Sequence, residues 1–146
     1  MQLPLAQIFD NILSSAELAF WKERVQTGTQ STGLTEDDVR ATELYKLVRN
    51  YVSDLRLIHC LLFDITEGCD TEVHRDIGEY CALFYPTTNL STPLHLEHPG
   101  LQDIEVIENR LVLLDCTHVA HQQIVPRDES HRYSVAFKFA MHPEDI

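Results

Sequence analysis

Basic residues are scarce. Eleven Lys plus Arg stand against 23 Asp plus Glu in 146 residues, a formal charge of −12. Non-specific nucleic-acid binding works by releasing counterions through a basic surface. No basic cluster here exceeds two residues, so nucleic acid is not an expected partner and small molecules or a protein are. Long apolar runs are missing too: none approaches the ~20 residues a membrane-spanning helix needs. The start, Met1-Gln2-Leu3-Pro4-Leu5, has no basic region and no small-residue cleavage site, so no signal peptide is expected and the cytoplasm is the expected address. There is no CxxC pair. Cys60, Cys69, Cys81 and Cys116 lie in or near apolar segments and are expected to be buried free thiols in a reducing compartment. Repeats, low-complexity stretches and Pro/Gly-rich linkers are absent, which leaves a single domain over 1–146.

What is present can form a core. Apolar residues make up 44% of the chain, and at this size roughly two-thirds of the unfolded surface disappears on folding. Residues 1–55 read as a helical layer. Ser14 followed by Glu17 forms a capping-box pattern, and Leu18, Phe20, Trp21 and Val25 supply the apolar stripe, Phe20 and Trp21 as core. Residues 26–35 read as a loop. Thr35-Glu36-Asp37-Asp38 offers a cap for a second helix, with Leu44, Leu47, Val48 and Tyr51 at helical spacing. From Leu57 the period changes. Residues 57–65, 80–85, 104–107, 111–114, 122–125 and 133–139 are short β-rich runs separated by Gly68, Gly78, Pro86, Asn89, Pro93, Pro99-Gly100, Asn109 and Pro126. Such punctuation predicts an α+β chain: a jelly roll, or double-stranded β-helix, over 56–141 with the N-terminal helices packed on one sheet.

Eight histidines are unevenly placed. His74-Arg75-Asp76 is an HxD pair, and on an extended segment positions i and i+2 share a face. Adding one distant histidine, His121, gives a 2-His-1-carboxylate set for one face of an octahedral metal. That face leaves three positions open and is diagnostic of non-haem Fe(II) oxygenases. His118 and His121 form an HxxH from which either could supply the distal ligand. His95 and His98 read as loop or rim residues, and His59 as a core or sheet-face histidine.

The C-terminal half makes the pattern specific. Arg110-Leu111-Val112-Leu113-Leu114 precedes His121, and Arg132-Tyr133-Ser134 follows it, Arg132 eleven residues on. This resembles the 2-oxoglutarate and Fe(II)-dependent oxygenases, especially their prolyl-hydroxylase-like branch, and that spacing favours His121 over His118. Upstream, Gly68 looks like the turn before the HxD strand, Cys81-Ala82-Leu83-Phe84-Tyr85 like the strand after it, and Asp38-Val39-Arg40-Ala41-Thr42 like an N-terminal segment of the same branch. The pattern departs at Phe63-Asp64-Ile65 and at Ser91-Thr92-Pro93-Leu94, on the substrate side. The resemblance implies that His74, Asp76 and His121 hold Fe(II). It also implies that Arg132, Ser134 and Tyr85 hold 2-oxoglutarate, with ascorbate as reductant and a prolyl, peptidyl or small-molecule substrate to be hydroxylated. A planar guanidinium suits that role because it can make two parallel charged hydrogen bonds to a carboxylate. The rival readings are a cupin-like metal enzyme without oxoglutarate and a non-catalytic jelly-roll binding module.

Overall fold

The computed structural model describes residues 3–27, 31–34, 42–66 and 72–146, with 31–34 described by their backbone. In chain order the elements are β1 (Ala6–Asp10), α1 (Ser15–Gln26), β2 (Ser31–Leu34), α2 (Glu43–Tyr51), β3 (Arg56–Ile65), β4 (Glu79–Tyr85), β5 (Asn89–Glu97), β6 (Ile104–Val106), β7 (Arg110–Leu114), β8 (Ala120–Gln123), β9 (Arg132–Ala140) and a closing 3-10 turn (Pro143–Asp145). The strands form a six-stranded sheet ordered β1-β7-β4-β9-β3-β2 and a three-stranded sheet ordered β6-β5-β8. Every pairing is antiparallel.

Period-two alternation on the central strands explains the layering. One face of β9 carries Val135, Phe137 and Phe139, which join Tyr80, Ala82 and Phe84 of β4 beneath Trp21 and Val25 of α1 and Leu44 and Val48 of α2. Burying each such side chain contributes about 1.5–3 kcal/mol. The other face carries Ala136, with Cys81, Leu83 and Tyr85 of β4 and Val112 and Leu114 of β7. It packs against Leu94 and Leu96 of β5 and Val106 of β6. Because both faces of the large sheet are covered, β4 is buried at nearly every position. The helices start where their caps put them: Ser14 Oγ accepts from Glu17 N–H at 3.3 Å, and Thr42 Oγ1 from Tyr45 N–H at 3.2 Å.

Several expectations are corrected. Phe20 is 48% exposed rather than core; it stands against the edge of the Trp21 ring while Trp21 takes the interior. The loop expected over residues 26–35 contains β2, which pairs with β3. Pro93 and Asn89 punctuate a strand, β5, because the small sheet's register shifts between Asn89 and Leu94. Cys81 and Cys116 are not free thiols but a disulfide, their Cα atoms 6.1 Å apart, joining β4 to the segment just after β7. Cys60 is free and buried. Gly68, Cys69, the Thr35–Asp38 cap and the segment from Asp38 to Ala41 lie outside the described residues. Among the described residues no helix is long and apolar enough to cross a membrane.

Candidate metal and oxoglutarate site

His74 leaves the sequence as an extended residue and meets β8. Its backbone N–H donates to His121 O at 2.9 Å, and His121 N–H returns a bond to His74 O at 2.8 Å. This two-residue bridge brings distant parts of the chain into register, with His121 itself held on β5 opposite Leu96. Asp76 is fixed at the start of a tight turn. Its N–H donates to Cys116 O at 2.8 Å, and Glu79 N–H donates to Asp76 O at 3.1 Å. Gly78 supplies the φ of +88° that the turn needs and donates its N–H to Thr117 Oγ1 at 2.9 Å.

One ligand atom each from His74, Asp76 and His121 lies within 4.8 Å of the others. His74 Nε2 is 3.6 Å from Asp76 Oδ1, and His121 Nε2 is 3.3 Å from Asp76 Oδ2. Neighbouring positions on an octahedral ion lie about 3 Å apart when metal–ligand bonds are about 2.1 Å, so each imidazole stands near a neighbouring-ligand distance from the carboxylate. The tautomers fit as well. Nδ1 of His74 lies 2.6 Å from Glu72 O and Nδ1 of His121 lies 3.0 Å from Val119 O. A carbonyl can only accept, so a neutral imidazole carries its proton on Nδ1 and leaves the Nε2 lone pair for a cation. With no metal on Nε2, that nitrogen of His121 can instead donate to Asp76, which is held down to a pKa of about 2, chiefly by this hydrogen bond and then by the charges of Lys138 and His74, against the opposing effect of burial. It is therefore an anion throughout the ordinary pH range.

A second feature lies on β9. Arg132 is 1% exposed, yet among the described residues no carboxylate pairs with it. Its Nε donates to Thr92 O at 3.1 Å, its Nη2 to Tyr85 Oη at 3.5 Å, and its guanidinium stands 5.5 Å from the Tyr85 ring centroid. Two residues along the same face, Ser134 Oγ is buried without a hydrogen-bond partner. Tyr85 is wholly buried, and burial raises its pKa, so its hydroxyl keeps its proton. A buried cation without a counter-ion, beside an orphaned hydroxyl and a protonated phenol, lacks one thing: an anion with several acceptor oxygens.

The remaining expectations divide. His118 is turned away from the triangle: its Nδ1 lies 2.8 Å from Asp115 Oδ2, and it faces a cavity of about 710 Å³ lined also by Tyr51, Leu55, Met141 and Ile146. His95 sits on β5 between Asp103 and Glu97, at 2.9 and 3.0 Å. His98 bonds Pro99 O, and His59 is exposed on β3. Arg75 is exposed. Sequence reasoning missed Thr92, whose carbonyl no side-chain pattern could announce. It also missed Lys138, whose Nζ stands 3.5 Å from Asp76 Oδ2 and whose signal was available: it shares strand parity with Arg132 and Ser134.

In fold the chain resembles the 2-oxoglutarate and Fe(II) oxygenases. HygX from Streptomyces hygroscopicus, solved with nickel and 2-oxoglutarate bound, superposes with a TM-score of 0.73 at 13% identity, over 93% of this chain and 81% of that one. A Pseudomonas putida prolyl-4-hydroxylase gives 0.70 at 12% identity, over 94% and 93%. A Trichoplax adhaerens prolyl hydroxylase, in complex with a hypoxia-inducible-factor peptide fragment, gives 0.70 at 15% identity, over 93% and 83%. No protein-family model matches the chain. No curated protein matches it either.

Proposed function

We propose that the chain is a non-haem Fe(II) and 2-oxoglutarate-dependent dioxygenase that hydroxylates a prolyl, peptidyl or small-molecule substrate, on a double-stranded β-helix closed by its two sheets. The observation that carries this reading is Arg132, a buried guanidinium with no carboxylate partner among the described residues, on the face that also presents the orphaned Ser134 hydroxyl. A metal site alone would fit many reactions. A candidate metal site beside a buried guanidinium, hydroxyl and phenol fits a dicarboxylate co-substrate.

In this reading His74, Asp76 and His121 would hold the ion through two imidazole nitrogens and a carboxylate, the donor set of a non-haem Fe(II) oxygenase. Arg132 would hold the far carboxylate of the oxoglutarate, with Ser134 Oγ and Tyr85 Oη placed to donate to the same group. When bound, iron and oxoglutarate would together supply oxidative decarboxylation with O2: one oxygen atom ends in succinate beside CO2, and the other in the hydroxyl formed from the substrate C–H bond. The chain's own share is orientation and exclusion of water. The carbonyls of Glu72 and Val119 fix both rings, and the apolar residues between the sheets keep the cradle dry. Neighbours of the same fold support both substrate classes: one HygX structure holds hygromycin B and the Trichoplax enzyme holds a peptide.

The test is uncoupled turnover, which needs no knowledge of the substrate. With Fe(II), ascorbate and oxygen, the wild type is expected to bind 2-oxoglutarate and convert it slowly to succinate, and His74→Ala to do neither. If metal-loaded wild type neither binds oxoglutarate nor forms succinate, the reading is wrong and a cupin-like or non-catalytic module takes its place.

A further inference from the structure

The inward row of β9 reads Arg132, Ser134, Ala136, Lys138. Lys138 sits across from Cys81 on β4 and His59 on β3, which brings its ammonium up between the sheets rather than into solvent. The side chain is only 15% exposed, and lysines are rarely so covered without a partner. Its Nζ lies 3.5 Å from Asp76 Oδ2 and 3.9 Å from Glu79 Oε2, and donates to Cys81 Sγ at 3.3 Å.

Consider what holds the Asp76 carboxylate. The backbone of Asp76 is fixed by Cys116 O and by the turn through Gly78, but the carboxylate still rotates about its own bond. Of the three cationic or imidazole groups around it, His74 and His121 contact it through Nε2. Those Nε2 atoms are the ones that give their lone pairs to a metal, and once they do, neither can donate a proton to Asp76. Lys138 is then the one contact among the described residues that can still donate to the carboxylate. The stake is the number of open metal positions. A carboxylate that swings to give both oxygens occupies two positions and leaves two where the chemistry needs three.

Resting on the reading above, in which Asp76 is a metal ligand, we propose that Lys138 is a positioning residue of the metal site, fixing the Asp76 carboxylate by Oδ2, the oxygen that also faces His121 Nε2, so that the group does not swing to give both oxygens. Glu79 serves as the second anion that keeps the ammonium in place, its Oε2 3.9 Å from Nζ.

The experiment uses metal-free full-length protein, with Mn(II) affinity read by calorimetry and the absorption spectrum of added Co(II) as a direct report on coordination. Lys138→Met keeps the length and removes the donor and charge. It is expected to weaken Mn(II) about 10-fold or more, the usual scale for losing a partner of a ligand, and to change the Co(II) spectrum as the second oxygen enters. Lys138→Arg is expected to restore both. Lys138→Gln serves where the Met variant does not fold, with the same expected loss, and thermal melts of the metal-free forms separate folding from binding. Wild-type affinity and spectrum in the Met or Gln variant would overturn the role, as would tighter binding, which would mean that the lysine acts on the ion only by repulsion. Failure of Arg to rescue would overturn it equally. A wild type that binds no metal would overturn the reading of the site itself, and this role with it.

Discussion

Replacing Arg132 by methionine tests the oxoglutarate cradle most sharply, because the two competing views of this residue predict opposite stabilities. As a structural arginine it should be paired, and removing one partner of a buried ion pair costs about 3–5 kcal/mol. As a ligand-binding arginine it sits 1% exposed with only Thr92 O and the Tyr85 hydroxyl for company. Its own desolvation is then a cost borne by the ligand-free fold, and Arg132→Met should be no less stable than wild type. Binding reverses the order. Two charge-assisted hydrogen bonds to a carboxylate contribute about 1.5–3 kcal/mol each. Even the lower end predicts a loss of about 100-fold in oxoglutarate affinity. At about 100 times its Kd, a ligand stabilises the fold by about 2.7 kcal/mol, which for a domain of this size raises Tm by roughly 5–10 °C. Mn(II)-loaded wild type should show that rise with oxoglutarate, and Arg132→Met should show none while still binding Mn(II). Arg132→Lys should recover little, since a point charge cannot reproduce the fork. Oxoglutarate affinity within about threefold of wild type, or a ligand-free Met variant destabilised by the 3–5 kcal/mol of a broken pair, would refute the assignment.

Two further outcomes follow from the same geometry. His121→Ala should abolish Mn(II) binding in calorimetry while His118→Ala leaves it close to wild type, because His118 faces Asp115 and the neighbouring cavity; the reverse pattern would reassign the distal ligand. In metal-free protein the Asp76 carboxyl lies at about 2, below its ordinary 3.8, so it stabilises the fold above about pH 4 and that contribution disappears as pH falls through about 2. With solvent screening of a side chain that is 28% exposed, the shift is worth on the order of 1 kcal/mol. Urea unfolding at about pH 5 and about pH 2.5 should therefore show a steeper acid loss in wild type than in Asp76→Asn, and parallel losses would contradict it.

The residues that come together were legible because their chemistry is rare in combination. An HxD pair, a distant histidine and an arginine two residues before a serine are few enough to be found without contacts, and the structure gathers the first three into one triangle and buries the last two on one face. The central strands were legible for a different reason: burial on both sides makes β4, β7 and β9 apolar, and Tyr133–Phe139 alternates because its polar positions serve the interior. Elements at the sheet edges left weaker traces. β1 pairs only with β7, has no buried position, and carries no alternation to read. β5 contains the proline that argues against a strand, and only its shifted register makes that proline acceptable. The Cys81–Cys116 disulfide needs a Cα separation that no count of cysteines supplies.

Lys138 shows where a period-two reading stops short. The alternation that marked Val135, Phe137 and Phe139 as core also assigned Arg132, Ser134 and Lys138 to the opposite face, and that face was the interior of the sandwich rather than solvent. A polar residue on such a face is costly unless something meets it. Among the described residues Arg132 meets no carboxylate and Ser134 Oγ no hydrogen-bond partner, which is what the proposed oxoglutarate would supply. Lys138 meets Asp76 and Glu79, and so belongs to the frame that receives it. The same strand thus carries a guanidinium without a carboxylate partner among the described residues at one end and an ion-paired lysine at the other. What distinguishes the two is not the residue type, since both are cations on the inward row of β9, but whether the described fold already provides the opposite charge.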